Sequence, residues 1–218
     1  MEAFYAAYDL ITDSSWDFIV KLDGDLSFPP DYFQRCLEIF HQEPRLGIGG
    51  GLVCVERKGK LEEEFPDPAF HVRGPTKIYR KKCWENIGGL ISVPGWDTFD
   101  IVRANMMGWR TRTFREVTLQ HHRPTGGAYG SWANWVKNGY ANYIVGYHPI
   151  FMVLKCARRF LRYPFGLAGI ALMAGYVRGY VKRLPRVEDR DAIRYLRMQQ
   201  VNHLLRRPSL WSMNLPER

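Results

Sequence analysis

The stretch Phe18-Ile19-Val20-Lys21-Leu22-Asp23-Gly24-Asp25 decides how the first part of the chain folds. Its first five residues form a short, mostly apolar run, which is typical of a largely buried β-strand. Asp23-Gly24-Asp25 marks the end of that strand, because glycine permits a tight turn and aspartate favours loops. In open α/β sheets, ligands bind beyond the carboxyl ends of the strands, so a binding site is expected at these two aspartates.

Strand and helix patterns alternate over the first 120 residues. Strands are predicted over 17–22, 46–55, 76–80 and 111–119, and helices over 2–12, 31–42, 82–87 and 97–107. Residues 56–70 are polar, carry two prolines and predict a loop. The alternation predicts an α/β fold, in which helices flank a mainly parallel, Rossmann-like sheet.

The C-terminal part of the sequence is helical in pattern. Aromatic and aliphatic residues recur at helical spacing from Trp132 to Tyr147. Fifteen uncharged, largely apolar residues then lie between Arg162 and Arg178, fewer than the ~20 that a membrane-spanning helix needs. The flanking arginines and lysines favour an interfacial helix or hairpin on anionic lipid, with an internal helix packed on the sheet as the alternative.

The formal charge of +9 is concentrated in this C-terminal part. Between Lys155 and Arg207 there are 13 lysines and arginines against three acidic residues, a local balance of +10. A basic segment on a near-neutral body indicates an anionic partner. Because an apolar run lies beside the charges and no RNA- or DNA-binding motif occurs, a membrane surface is favoured over nucleic acid. We divide the chain into a catalytic domain, 1–150, and a basic amphipathic helical extension, 151–218.

The cysteines and the N-terminus indicate the compartment. Four cysteines are scattered without a CxxC pair, which favours reduced thiols over a zinc ribbon or a disulfide framework. The N-terminal residues carry acids and no basic region, so no signal peptide is predicted. Together with the basic extension, these features predict a cytoplasmic protein that associates peripherally with the inner face of the membrane.

Asp23 and Asp25 are the first candidate site residues. Two carboxylates one residue apart can hold Mg²⁺ or Mn²⁺ through oxygen ligands. A nucleotide diphosphate could complete the coordination shell, and the metal would offset the charge that develops on a leaving diphosphate. A solvated turn is the alternative, since Asp-Gly-Asp is common in loops.

Asp97 and Asp100, in the stretch Gly95-Trp96-Asp97-Thr98-Phe99-Asp100, are the second candidates. If a helix begins near Asp97, the two carboxylates share one helical face. The helix dipole keeps a carboxylate at the N-terminus ionised, and an ionised carboxylate can deprotonate a hydroxyl as a general base. The alternative makes Asp97 a helix cap and Asp100 a surface residue.

His121-His122-Arg123 follows the last predicted strand. Because side chains alternate along a strand, at most one histidine should face the site, and the sequence leaves open which one. A neutral imidazole could bind the metal, and Arg123 could contact a phosphate. Such a histidine pair, taken alone, is more often structural.

Taken in order, these elements resemble the C-terminal part of glycosyltransferase family 2, whose members are inverting enzymes of the GT-A fold. The resemblance covers about residues 1–147. In that family an apolar strand ends in a D-x-D motif, a strand and short helix precede a Gly-Gly pair, and an acidic pair opens a helix that contains arginine and ends in Gly-aromatic. The matching residues are Phe18 to Asp25, Lys77 to Arg80 with Gly88-Gly89, and Asp97, Arg103 and Gly108-Trp109. Trp96 stands where the family has Glu.

The resemblance implies a partial GT-A domain that transfers a sugar from a nucleotide-diphosphate donor to a saccharide or lipid-linked acceptor, as in assembly of surface polysaccharide or glycolipid. Mn²⁺ or Mg²⁺ is the implied metal. Asp23 and Asp25 are its implied ligands and contacts to the donor, with His121 or His122 as a further ligand and Arg123 as a donor contact. Asp97 or Asp100 is the implied base.

The family's opening strand-helix-strand units, which hold the nucleobase and ribose, have no counterpart before Asp23. We therefore expect the 218-residue chain to need further sequence for sugar transfer. A truncated, non-catalytic glycosyltransferase-like protein is the alternative. A basic nucleic-acid-binding protein is a more distant one.

Overall fold

The computed structural model describes residues 1–123, 130–161 and 166–212. The chain divides into two compact units. The first comprises Met1–Ser92 and Asp100–Pro124, and the second comprises Val93–Phe99 and Thr125–Arg218. The domain boundary after residue 150 stays a prediction.

The first unit contains a mixed sheet with flanking helices. Its strands are β1 (Phe18–Leu22), β2 (Leu26–Ser27), β3 (Leu46–Arg57), β4 (Lys60–Glu63), β5 (Thr76–Arg80) and β6 (Arg110–His121). Its helices are α1 (Glu2–Tyr8), α2 (Tyr32–Gln42) and α3 (Lys81–Ile87), while α4 (Trp96–Met106) has residues in both units. The predicted α/β class is confirmed, and the observed elements begin and end near the predicted limits.

The direction of the strands differs from the prediction. The described strands form one sheet in the order β1-β5-β3-β6-β2, with β4 paired to β3. Only the β3–β6 pair is parallel among these strands, and the other pairings are antiparallel. The expectation of a mainly parallel sheet was therefore wrong. Alternating patterns identify strands, but the direction of each strand depends on its connections, and a parallel pair needs a long crossover.

β4 lies in the segment predicted as a loop. Lys58 and Gly59, with φ of 52° and 76°, form a tight connection that turns the chain back on β3. Left-handed backbone at both central residues is the geometry that two-residue hairpins favour. Nearly all of β4 is exposed and polar, so it lacks the apolar alternation from which strands are predicted.

The core of the first unit lies between α2 and the sheet. Tyr32, Cys36 and Phe40, four residues apart along α2, are fully buried. They pack with buried residues of β3, β5 and β6, namely Leu46, Val53, Ile78, Phe114, Val117 and Leu119. Burial raises the pKa of the Cys36 thiol to about 11, so this cysteine is held as an unreactive thiol. All four cysteines are buried and none forms a disulfide, as the spacing predicted.

Three consecutive glycines let the central strands approach closely. A Cβ atom at Gly51 would lie 2.7 Å from the Tyr32 ring and 2.7 Å from the Val117 carbonyl oxygen, and one at Gly50 would collide with the Thr76 carbonyl oxygen. The Tyr32 hydroxyl accepts a hydrogen bond from the Gly51 N–H at 2.9 Å and bonds the Thr76 hydroxyl at 2.7 Å. Only glycine fits at these positions.

The second unit is helical. Its helices are α5 (Gly130–Ile144), α6 (Pro149–Phe160), α7 (Leu167–Val181) and α8 (Arg190–Leu204). Glycines bring α7 close to both of its neighbours: a Cβ at Gly175 would lie 3.1 Å from the Gly139 Cα of α5, and one at Gly169 would lie 2.7 Å from the Cys156 carbonyl oxygen of α6. None of the helices in the described part of the chain is both long and apolar enough to cross a bilayer.

We expect Gly50→Ala to lower the free energy of unfolding by ~1–3 kcal/mol, because the added methyl group overpacks a backbone contact that cannot shift cheaply. Urea denaturation monitored by tryptophan fluorescence measures the change. Gly24→Ala is the matched control, since nothing lies within 4 Å of a Cβ at Gly24. Equal stability of the two variants would contradict the close packing described here.

Candidate functional site

The Asp23-Gly24-Asp25 loop is held between two strands. The Asp23 N–H donates to the Pro75 carbonyl just before β5, at 2.9 Å, and the His122 N–H donates to the Asp25 carbonyl at 3.0 Å. Leu22 pairs with Thr76 in β5, and Leu26 pairs with His121 at the end of β6. Backbone pairing on both sides therefore fixes where the two carboxylates lie.

Asp23 is paired with a lysine of its own strand. The Lys21 amine forms an ion pair with the Asp23 Oδ1 atom and donates to the Gly74 carbonyl at 3.0 Å. Lys21 and Asp23 are two residues apart, so their side chains leave the strand on the same side. This pair was not predicted, although a single lysine inside an apolar run, two residues before an aspartate, is a sequence signal that could have indicated it.

Asp25 faces a buried histidine. The Asp25 Oδ1 atom lies 3.5 Å from the His121 Nε2 atom, while the His121 Nδ1 atom lies 2.9 Å from the Glu64 Oε2 atom. His121 and Glu64 are buried, with side-chain exposures of 6% and 2%. The Glu64 carboxylate also pairs with Arg73, which lies over the Phe65 ring at 4.9 Å. The imidazole is therefore held on one edge by a buried, charge-balanced carboxylate.

This contact sets the chemistry of the other edge of the ring. An ionised carboxylate can only accept a hydrogen bond, so Glu64 directs a proton to the Nδ1 atom of His121. In the neutral imidazole, Nε2 is then an acceptor that faces the carboxylate oxygen of Asp25. Two acceptors at 3.5 Å repel each other unless the ring is protonated or a cation lies between them.

The donor pair suits a divalent cation. Neighbouring ligands of an octahedral ion with bonds of ~2.0–2.2 Å lie about 3 Å apart, close to the separation of Asp25 and His121. Among the residues that the structure describes, no group of three or more His, Cys, Asp or Glu is placed to hold a metal by itself. Mg²⁺ typically binds one or two protein ligands and takes the rest from water and substrate phosphates. An ion shared with a diphosphate therefore fits this donor set.

The other residues after β6 have different surroundings. His122 is exposed, and its Nε2 atom bonds the Ser27 hydroxyl at 2.6 Å. Arg123 is also exposed. The two histidines thus have different partners, as strand alternation predicted, and His121 is the one beside Asp25.

The two aspartates of α4 differ sharply in environment. Asp100 is buried, and both its carboxylate oxygens accept from the Lys77 amine, at 2.8 and 2.9 Å. The Tyr79 hydroxyl donates to the same carboxylate at 2.6 Å. Asp97 is half-buried in the first turn of α4. The interpretation of Asp100 as a surface residue was therefore wrong, and its carboxylate is committed to a buried ion pair.

Besides Lys21, three charged residues that contribute to this arrangement were not predicted. Glu64 and Arg73 lie in the polar segment interpreted as a loop, where nothing in the sequence marks them as partners of His121. Lys77 could have been suspected, because a lysine within the apolar strand Thr76–Arg80 must find a counter-charge if it is buried.

Comparisons with known proteins add little to this description. No protein family matches the chain, and no curated protein matches it. A solved structure of a mannosyltransferase from Pyrobaculum calidifontis, in complex with GDP-mannose and Mn²⁺, aligns with 95% of this chain at 16% identity and a TM-score of 0.46. The chain spans about half of that protein, 55% of its length. Similarity at this level carries no conclusion about function. The fold and the site define an α/β protein whose sheet carries an acidic loop next to a buried histidine.

Proposed function

We propose that this chain carries the metal-dependent site of an inverting glycosyltransferase, which moves a sugar from a nucleotide-diphosphate donor to an acceptor hydroxyl. The observation that carries the proposal is the meeting of the Asp25 carboxylate and the His121 imidazole, 3.5 Å apart, at the end of β1. The order of motifs along the chain, which resembles glycosyltransferase family 2, supplies the reaction class.

The residues around Asp25 have distinct roles in this proposal. Asp25 and His121 hold Mn²⁺ or Mg²⁺, and Glu64 fixes the histidine ring so that its Nε2 atom stays available. Asp23 forms an ion pair with Lys21. Because no group of three or more His, Cys, Asp or Glu is placed to hold a metal in the described part of the chain, the proposed role of Asp23 is a contact to the donor. Arg123, exposed just after β6, contacts a donor phosphate. When bound, the metal offsets the negative charge that develops on the leaving diphosphate.

Asp97 is the proposed general base. The buried Asp100 carboxylate already accepts hydrogen bonds from the Lys77 amine, the Tyr79 hydroxyl and a backbone N–H. Asp97 is instead partly exposed where α4 begins. Asp97 takes the proton from the acceptor hydroxyl as that oxygen bonds to the anomeric carbon. The bond between this carbon and the diphosphate oxygen breaks, and its electron pair leaves with the diphosphate. Attack opposite the leaving group inverts the configuration of the anomeric carbon.

We expect Asp25→Asn to abolish Mn²⁺-dependent binding of nucleoside diphosphate. Glu64→Gln should weaken Mn²⁺ binding by about 10- to 100-fold, because the ring of His121 loses its charged partner. Isothermal titration calorimetry with Mn²⁺ and a panel of nucleoside diphosphates measures both effects. Two alanine variants distinguish the histidines. His122→Ala should bind Mn²⁺ and nucleoside diphosphate as the wild type does, whereas His121→Ala should lose this binding. Unchanged binding by Asp25→Asn would refute the site.

For the base, we expect Asp97→Asn to lower kcat by about 10²-fold or more while donor binding is retained. Asp100→Asn should instead lower the free energy of unfolding by ~3–5 kcal/mol, because it leaves the buried Lys77 charge without its partner. Release of nucleoside diphosphate and urea denaturation are the two measurements. If Asp100→Asn were well folded but inactive while Asp97→Asn remained active, the general base would be Asp100 and not Asp97.

We also propose that the second unit attaches the protein to the inner, anionic face of a membrane, where a lipid-linked acceptor would lie. Large apolar side chains of α6 and α7 face solvent, including Ile150, Val153 and Leu154 on α6 and Leu167, Ile170 and Val181 on α7. Between Glu116 and Glu188 the sequence contains ten lysines and arginines and no acidic residue. Apolar surface beside unbalanced positive charge favours anionic lipid.

Flotation with vesicles tests this attachment. The protein should float with anionic phosphatidylglycerol vesicles at low salt and be partly released at high salt, because salt screens attraction to the headgroups. Val153→Asp should reduce the bound fraction, since it places a charge on the apolar face of α6. Leu61→Asp is the matched control: Leu61 is as exposed as Val153, 53% against 55%, but lies on β4 of the first unit. Equal loss in both variants, or no flotation of the wild type, would exclude attachment through α6.

A further inference from the structure

A groove of about 760 Å³ runs between α6 and α7. Its volume lies within the range of ~300–1,000 Å³ that small-molecule sites occupy. Every lining residue in the described part of the chain is apolar or small, and the larger ones are Cys156, Phe160, Leu161, Ile170, Met173 and Val177. We propose that this groove holds one acyl chain of an anionic membrane lipid.

The groove exists because small residues line it at close helix contacts. Gly169 lets the backbone of α7 approach the Cys156 carbonyl of α6, so the two helices meet at the base of the groove. Ala157 and Ala174 are exposed on either side and fill little of the space. Phe160 and Ile170, which are about half exposed, form walls of the groove. An apolar occupant would remove their surface from water, which is favourable in proportion to the area covered.

The two helices that form the groove belong to a segment with an excess of positive charge. Arg158 on α6 and Arg178 on α7 are exposed, and the Arg178 guanidinium lies over the Tyr140 ring of α5, outside the groove lining. No acidic residue lies between Glu116 and Glu188 in the sequence to balance such charges. A chain that carries an anionic head therefore fits both the apolar lining and the positive charge of this segment.

Other occupants fit less well. An extended peptide would bring backbone N–H and C=O groups into a lining that offers no side-chain hydrogen-bond partner except a thiol, and unpaired polar groups are costly to bury. A second copy of this unit would bring its own excess of arginine and lysine against the same charges, and like charges oppose association.

This inference rests on the proposed membrane attachment and is independent of the proposed sugar transfer. It differs from attachment in one respect: the groove should bind a single lipid chain in solution, without a bilayer. Flotation of vesicles and binding of a monomeric lipid therefore succeed or fail separately, and donor binding is a third, separate measurement.

The test uses the full chain and a single-chain anionic lipid, lysophosphatidylglycerol, below its critical micelle concentration. Calorimetry should show binding of one lipid per chain, weakened by salt, and weaker binding of the zwitterionic lysophosphatidylcholine. Ala174→Trp fills the groove from an exposed position and should lower affinity at least ~10-fold, since excluding only two methylene groups has that effect. Ala157→Trp fills the groove from the α6 side and should lower the affinity as well. Agreement between the two variants would show that the loss does not come from a local folding defect in Ala174→Trp.

Ala133→Trp is the matched control, because Ala133 is an exposed alanine on α5 outside the groove. It should bind the lipid as the wild type does. The proposal is overturned if the wild type does not bind the lipid, or if both groove-filling variants bind it as tightly as Ala133→Trp does. A wild-type dimer in sedimentation that Ala174→Trp converts to a monomer, without lipid binding, would assign the groove to a second copy instead.

Discussion

The close approach of three strands at Gly49-Gly50-Gly51 is the constraint on which the rest of the first unit depends. Without side chains at these positions, β3 can lie against the Thr76 carbonyl on one side and the Val117 carbonyl on the other. Thr76 pairs with Leu22, directly before the aspartate loop. Through β6, the same packing fixes the strand that ends in His121. The glycines therefore allow the close spacing of the central strands, and the pairing of Leu26 with His121 then brings Asp25 next to the histidine.

The first unit contains two buried clusters in which a carboxylate is paired with charged and polar side chains. Asp100 is matched by the Lys77 amine and the Tyr79 hydroxyl, so its charge and hydrogen-bonding capacity are satisfied within the core. Glu64 is matched by Arg73, yet it also holds a histidine whose far edge faces another carboxylate. The first cluster is closed and is suited to holding strand β5 and helix α4 together. The second extends to Asp25, and this contact is the one on which the proposed metal site rests.

In the second unit, some apolar surfaces of the helices are tightly packed and others are exposed to solvent. The glycine-rich face of α7 packs tightly enough against α5 and α6 that backbone atoms come into contact. Away from these backbone contacts, Val153 on α6, Leu161 just after α6 and Val181 at the end of α7 are more than half exposed. Exposed apolar residues are ordinary when scattered, but a contiguous set marks a surface that meets something other than water. The sequence between Glu116 and Glu188 adds ten lysines and arginines and no acidic residue, and this charge is the basis on which an anionic lipid is proposed as the partner.

The sequence by itself determined the elements that repeat regularly: β5 was predicted over the residues it occupies, and α2 with its buried stripe followed from helical spacing. It also determined the candidate site at Asp23 and Asp25, because residue type and position at a strand end are local properties. It could not supply the strand directions, since these depend on connections such as the Lys58-Gly59 turn. Nor could it separate His121 from His122, or Asp97 from Asp100. Those distinctions depend on Glu64 and Lys77, which are 57 and 23 residues away along the chain. Only the tertiary structure brings such distant charges into contact. These contacts decide that Asp100 is held in a buried ion pair and that His121 is the histidine whose Nε2 atom faces Asp25.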